Sequence, residues 1–196
     1  MKIEYNFSPN YSDKIRLSKE IKFIVIHYTG MQSEIESIKR LMDPGYEVSC
    51  HYLINRKGDI TQMVREENIA WHAGKSKWKK FKSLNKYSIG IEIQNSGHDN
   101  LYEDFTNKQR FSLKKLLRFL LKTYKINYKN VLGHSDISPN RKKDPGEKFP
   151  WEFFYKNKLA QWHGLNKNKL TKSRHGILTV NEKKEFLINL YKIGYN

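Results

Sequence analysis

Three short segments carry chemically capable residues where a plain core strand or loop has no need of them. His27 closes most of the apolar run FIVIHYTG at 23–30, and Glu92 stands between Ile91 and Ile93 in SIGIEI at 88–93. The stretch GHSDISPNRKKDPGEKFPW at 133–151 adds His134, Asp136, Arg141, Lys142, Lys143 and Asp144. Ligands and catalytic groups gather at strand ends and on the loops just beyond them. Singly, each has a bland reading: His27 as a hydrogen-bonded core histidine, Glu92 as a solvent-facing strand residue, His134 and Asp144 as loop polarity. Together, two histidines and a carboxylate form a three-ligand set for catalytic zinc that leaves a fourth position for water. A separate glutamate then serves as general base, and a lysine stabilises a developing oxyanion. Spacing alone leaves both readings open.

These residues need elements that bring them together. The β-branched run 23–30, closed by Gly30, predicts a buried central strand. Ile35, Ile38, Leu41 and Met42 recur at helical spacing in 32–42, and Asp43, Pro44 and Gly45 end that helix. Residues 48–55 and 59–64 flank Arg56, Lys57 and Gly58, which predicts a hairpin. A loop with Trp71, His72, Gly74 and Trp78 leads to the short strand 88–93. Residues 107–124 form the longest amphipathic helix, with Phe111, Leu116, Leu117, Leu120 and Leu121 near one stripe. A short strand around Val131 and Leu132 precedes the long 133–151 loop, and a last helix over 181–192 presents Leu187, Ile188, Leu190 and Tyr191. Strands alternating with helices predict an α/β fold, a mixed central β-sheet flanked by helices.

Composition limits the possible functions. The 196 residues carry 37 Lys and Arg against 20 Asp and Glu, a net charge of +17, with 38% hydrophobic and 13% aromatic residues. That is enough apolar material for a packed core, which argues against a disordered chain. The single cysteine, Cys50, excludes an internal disulfide framework and any multi-cysteine metal site. No apolar run approaches the ~18–20 residues that span a bilayer. Lys outnumbers Arg 29 to 8. Base-reading surfaces lean on Arg, so the excess of charge points to polyanion attraction or a solvated face rather than specific nucleic-acid recognition.

Six segments then carry a resemblance. SPNY (8–11), FIVIHYTGM (23–31), VSCHYLINRKGDI (48–60), AWHAG (70–74), LNKYSIGIEIQNSG (84–97) and GHSDISPNRKKDPGEKFPW (133–151) occur in one order. In these the chain resembles the zinc-dependent N-acetylmuramoyl-L-alanine amidases of the AmpD and AmiD branch, relatives of the peptidoglycan recognition proteins. The resemblance implies that fold, one Zn2+ per chain, and His27, His134 and Asp144 as its ligands. It implies Glu92 as general base and Lys142 as the oxyanion-stabilising charge. It also points to Trp71, His72, Ala73, Asn85 and Tyr87 as substrate contacts. His51 reads as structural, and His98, His163 and His175 as surface.

Two departures qualify the likeness. Related phage amidases and recognition proteins often use a cysteine as third ligand; here Asp144 stands there, so Cys50 is not a ligand. Active members of that group also carry a tyrosine just before the residue matching His51, and Cys50 occupies that place, which puts the weight on Glu92. The implied activity is hydrolysis of the amide between N-acetylmuramic acid and L-alanine in peptidoglycan or anhydro-muropeptides, for cell-wall turnover and recycling in a bacterium. The alternative is a non-catalytic peptidoglycan-binding module. Residues 1–156 are expected to form the catalytic domain, with 1–20 as an extended lead-in. Residues 157–196 are expected to be a basic extension packed on it, in a monomer. The compartment, cytoplasm or periplasm, is left open.

Overall fold

The computed structural model describes residues 1–174 and 176–195. In chain order the first half comprises β1 (Glu4–Tyr5), β2 (Tyr11–Ser12), β3 (Phe23–Tyr28), α1 (Glu34–Met42), β4 (Tyr52–Ile54), β5 (Ile60–Gln62), β6 (Ile69–Ala70), β7 (Lys77–Trp78) and β8 (Phe81–Lys82). The rest comprises β9 (Ser88–Ile93), α2 (Asn107–Thr123), β10 (Val131–Gly133), α3 (His134–Ile137), α4 (Trp151–Lys156), α5 (Lys167–Arg174) and α6 (Val180–Ile193). A six-stranded sheet runs in the order β1-β5-β4-β9-β3-β10. Only the β4–β5 hairpin is antiparallel within it, so the sheet is mixed, with helices on its faces.

Alternation along β3 and β9 sorts the two faces. Ile24 and Ile26 of β3 join Ile89, Ile91 and Ile93 of β9 in a core cluster with Leu113, Leu116, Leu117 and Leu120 of α2. Burying each such side chain stabilises the fold by roughly 1.5–3 kcal/mol. On the other face, Phe23 and Val25 pack with Ala73, Trp78, Leu84, Leu132 and Ile137. Helix starts are set locally: Ser33 and Glu36 form a capping box at α1, and Thr106 and Gln109 do so at α2.

Three features add to the sequence expectations. Phe111 is 54% exposed and meets Phe153 edge-on, because Leu113 takes the inward position on α2. The lead-in is built into the fold: β1 pairs with β5, β2 pairs with β6, and Arg16 is buried. Its guanidinium donates to the carbonyls of Glu66, Asn85 and Ser88 at 2.7–2.9 Å. The main core runs through Leu159 and Ala160, a little past 156. In the extension, Leu187, Ile188 and Tyr191 of α6 are exposed, while Tyr195 packs edge-on against Trp78 and Lys79 N–H donates to Gly194.

Candidate active site

The site lies at the ends of three adjacent parallel strands. His27 is the fifth residue of β3, and in the register of β3 with β9 it stands opposite Glu92. On the other side of β3, β10 ends at Gly133, and His134 opens α3 directly beyond it. The loop after α3 then returns: Ser135 N–H donates to the Asp144 carbonyl at 2.8 Å, and the Asp144–Pro145 peptide is cis. Gly133 permits this return, since a Cβ there would lie 2.8 Å from Pro145 Cδ.

This arrangement converges three buried ligand atoms. His27 Nδ1 lies 2.9 Å from His134 Nδ1 and 2.9 Å from Asp144 Oδ2, and His134 Nδ1 lies 3.1 Å from the same oxygen. Ligands ~2.0–2.1 Å from a tetrahedral ion stand roughly 3.3 Å apart. The triangle therefore fits one small divalent ion with slight spreading, and the group is able to hold a metal. His134 Nε2 faces the Ala73 carbonyl at 3.2 Å, the kind of outer contact that orients a ligating imidazole.

Burial pushes the His27 imidazole down to about 4, with the His134 charge adding to it and Asp144 opposing it. Burial also acts to raise the Asp144 carboxyl, but hydrogen bonds and charge from His134 and His27 outweigh it and hold the group well below the ordinary range. Both effects favour a neutral His27 imidazole and a charged Asp144 carboxylate, the forms that bind a metal. Glu92 is pushed up to about 8 by burial and by Asp144, against the pull of Lys142. Its Oε2 is buried with no hydrogen-bond partner among the described residues.

One cleft of about 480 Å3 collects these groups: His27, Glu92, His134, Lys142 and Asp144 all line it. Arg141 orders its wall, donating to the Ala73 carbonyl at 2.9 Å. Of the five residues expected to touch substrate, only His72 lines this cleft. Ala73 is fully buried, and its carbonyl serves His134 and Arg141. Asn85 Oδ1 accepts the main-chain N–H groups of His72 and Ala73, so it shapes the loop from behind. Trp71 joins Asn85 in a separate shallow groove, and Tyr87 packs edge-on against Phe81. His72 itself has both ring nitrogens engaged inside the protein.

His51 is buried, with Nδ1 accepting from Gly90 N–H at 2.9 Å. His98 is half-buried and bonded to Tyr28 and Glu147 rather than a free surface residue. His163 is half-buried against Trp162, and His175 lies outside the described residues. The cleft also includes Tyr28, Arg40, Tyr46 and His98, which sequence reasoning missed; Arg40 lies over the Tyr46 ring at 4.5 Å. No local spacing announces them, because each comes from a different part of the fold: Tyr28 from β3, Arg40 from α1, and Tyr46 and His98 from two separate connections. Cys50 is buried beside Met63, away from the ligand triangle.

Residues 17–147 match the model of the N-acetylmuramoyl-L-alanine amidase family. The chain is 38% identical over 154 residues to Escherichia coli AmiD, described as an N-acetylmuramoyl-L-alanine amidase; the match covers 72% of this chain and 55% of that protein. It is 37% identical over 163 residues to Haemophilus influenzae AmpD, a 1,6-anhydro-N-acetylmuramyl-L-alanine amidase, covering 74% of this chain and 86% of that one. The chain thus spans little more than half of AmiD and most of AmpD. Among solved structures, E. coli AmiD with anhydro-N-acetylmuramic acid-L-Ala-D-gamma-Glu-L-Lys superposes with a TM-score of 0.78 at 33% identity, over 90% of this chain and 72% of that one. AmpDh3 from Pseudomonas aeruginosa gives 0.77 at 32%, over 96% and 79%.

Proposed function

The chain belongs to the N-acetylmuramoyl-L-alanine amidase family, and from that premise we propose that it is a zinc-dependent amidase. Its substrate is the amide joining the lactyl group of N-acetylmuramic acid to L-alanine, in peptidoglycan or anhydro-muropeptides. Its place is cell-wall turnover and recycling. The observation that carries this reading is the buried His27, His134 and Asp144 triangle beside an unpartnered Glu92 carboxylate in one cleft.

His27, His134 and Asp144 hold the ion. Zinc bound there supplies Lewis acidity that polarises an amide carbonyl and lowers the pKa of water to about 7. Glu92 takes the proton of the attacking water on its carboxylate. The same carboxyl then returns that proton to the departing amide nitrogen, which leaves as the amino group of L-alanine. The muramic lactyl group is released as its carboxylic acid. Burial and Asp144 hold Glu92 high, and Lys142 acts against them; a divalent cation on the triad adds to the Lys142 effect and favours the ionised base. The Lys142 ammonium faces the negative charge that develops on the tetrahedral carbon's oxygen. The basic character of Arg40, Lys142 and Lys143 around the cleft suits a stem peptide that carries carboxylates.

The test is mass spectrometry of products from purified peptidoglycan and from anhydro-muropeptides, with chelator and with zinc restored. Free stem peptides beginning at L-alanine, lost on chelation and recovered with zinc, support the reading, and the better substrate separates polymer from recycled fragment. Binding without release by zinc-loaded, folded protein moves the reading to a non-catalytic peptidoglycan-binding module.

A further inference from the structure

We propose that His72 is a positioning residue: it fixes the proton of His27 on Nε2 and so keeps Nδ1 bare toward the ligand triangle. The inference rests on the metal reading above and adds a residue outside the ligand set.

It follows from a chain of hydrogen bonds with a fixed end. The Leu84 carbonyl only accepts, and Ser88 Oγ lies 2.6 Å from it, so the hydroxyl proton is committed to that bond. Ser88 Oγ therefore accepts from its other neighbour, His72 Nε2, at 3.2 Å. A neutral imidazole protonated on Nε2 has a bare Nδ1. His72 Nδ1 lies 3.0 Å from His27 Nε2 and so takes its proton. This leaves His27 Nδ1, 2.9 Å from both His134 Nδ1 and Asp144 Oδ2, free of its proton for an ion held on the triangle. With a cation on the triangle, His27 Nδ1 is a ligand and cannot donate to Asp144 Oδ2, so the Leu84 carbonyl, 57 residues along the chain from His27, is the fixed end that sets its tautomer.

The His72 ring is also fixed in place. It is 6% exposed, its main-chain N–H is held by Asn85 Oδ1 at 3.1 Å, and it lies edge-on to both His27 and His51. It lies directly over Gly90, where a Cβ would stand 2.3 Å from its Cγ. The slot over Gly90 is therefore specific to a residue without a side chain. Partners that orient a ligating histidine in this way typically contribute 10–100-fold to metal affinity.

The experiment is competition of the full-length protein with a chromophoric zinc chelator, with Tm of the metal-free protein measured alongside. His72→Phe keeps the ring and removes the acceptor, and is expected to weaken zinc binding about 10–100-fold at little change in metal-free Tm. His72→Asn places Oδ1 near the lost Nδ1 and is expected to recover most of that affinity. Parental affinity in His72→Phe overturns the proposal, as does a His72→Asn variant no better than His72→Phe. Should His72→Phe not fold, 15N NMR of the imidazoles in the zinc-loaded, unaltered protein decides: His72 protonated on Nε2 and His27 on Nε2 support it, and the opposite tautomer at His72 overturns it. A parent protein that binds no zinc removes the metal reading itself, an outcome distinct from a failure confined to the His72 variants.

Discussion

His27 and Glu92 stand opposite one another in the parallel pairing of β3 with β9. Opposed residues of paired parallel strands project on the same face, so His27 of the His-His-Asp triangle and the Glu92 carboxyl are held side by side by the backbone ladder rather than by a mobile loop. Leu53 of β4 takes the third position in that row and closes it with an apolar wall. Glu92 and His27 are thus placed by the same hydrogen bonds that hold the sheet.

Glu92→Gln keeps the shape and removes the base. Because Oε2 has no hydrogen-bond partner among the described residues, the amide fits with little loss of stability. Steady-state kinetics on a muropeptide should show kcat lower by about 10²–10⁴ with Tm retained. Lys142→Met, which removes a charge facing the developing oxyanion, should lower kcat by about 10²–10³. Zinc affinity should persist in both variants, and its loss in Glu92→Gln would assign Glu92 to the metal rather than to the proton.

Removing the metal should loosen the fold. At free zinc a hundredfold above its Kd, binding stabilises the native state by about 2.7 kcal/mol, which for a chain of this size corresponds to a Tm higher by ~5–11 °C. Thermal scans with zinc and with excess chelator measure this difference. His27→Ala should abolish it, since one vertex of the triangle is gone.

Acid should destabilise the protein below its histidine range. Burial, with the Arg16 charge on His51 and the His27 and His51 charges on His72, holds both imidazoles well below their ordinary value of 6.5. Above about pH 6.5 neither state binds these protons, and stability is unaffected. As pH falls below it the unfolded chain takes them up while the folded chain does not, costing up to ~1.4 kcal/mol per pH unit per group. Urea midpoints between pH 7.5 and 5 should fall accordingly, and His51→Gln should flatten the decline. An unchanged midpoint down to pH 5 would show these histidines charged in the fold.

The extension is tied to the site through one phenol. Tyr195 donates to the Asp136 carboxylate, which also accepts Gly133 N–H at 2.7 Å next to the ligand His134. Burial raises the Asp136 carboxyl, and these two donors act against it. Tyr195→Phe leaves a buried carboxylate short of a donor and should destabilise by ~1–3 kcal/mol, seen as a lower Tm and faster proteolytic release of the C-terminal segment. KM for a small muropeptide should not move.

The sequence by itself determined the elements and the chemistry. The β-branched run around His27, the capping pairs at α1 and α2, and the hairpin about Gly58 are local signals, set by backbone sterics and hydrogen bonds within a few residues. The residues proposed as ligands and base were legible for the same reason, since each lies in a short motif. What only the tertiary structure decided is what lies behind them. The His72 contact to His27, the buried Arg16 and the Tyr195 contact join residues 45 to 72 positions apart, through pairings that no local period encodes. Ala73 and Asn85 spend their carbonyl and side-chain oxygen inside the protein, because a residue beside a cleft in sequence turns toward or away from it according to the carbonyls and N–H groups it must satisfy once buried.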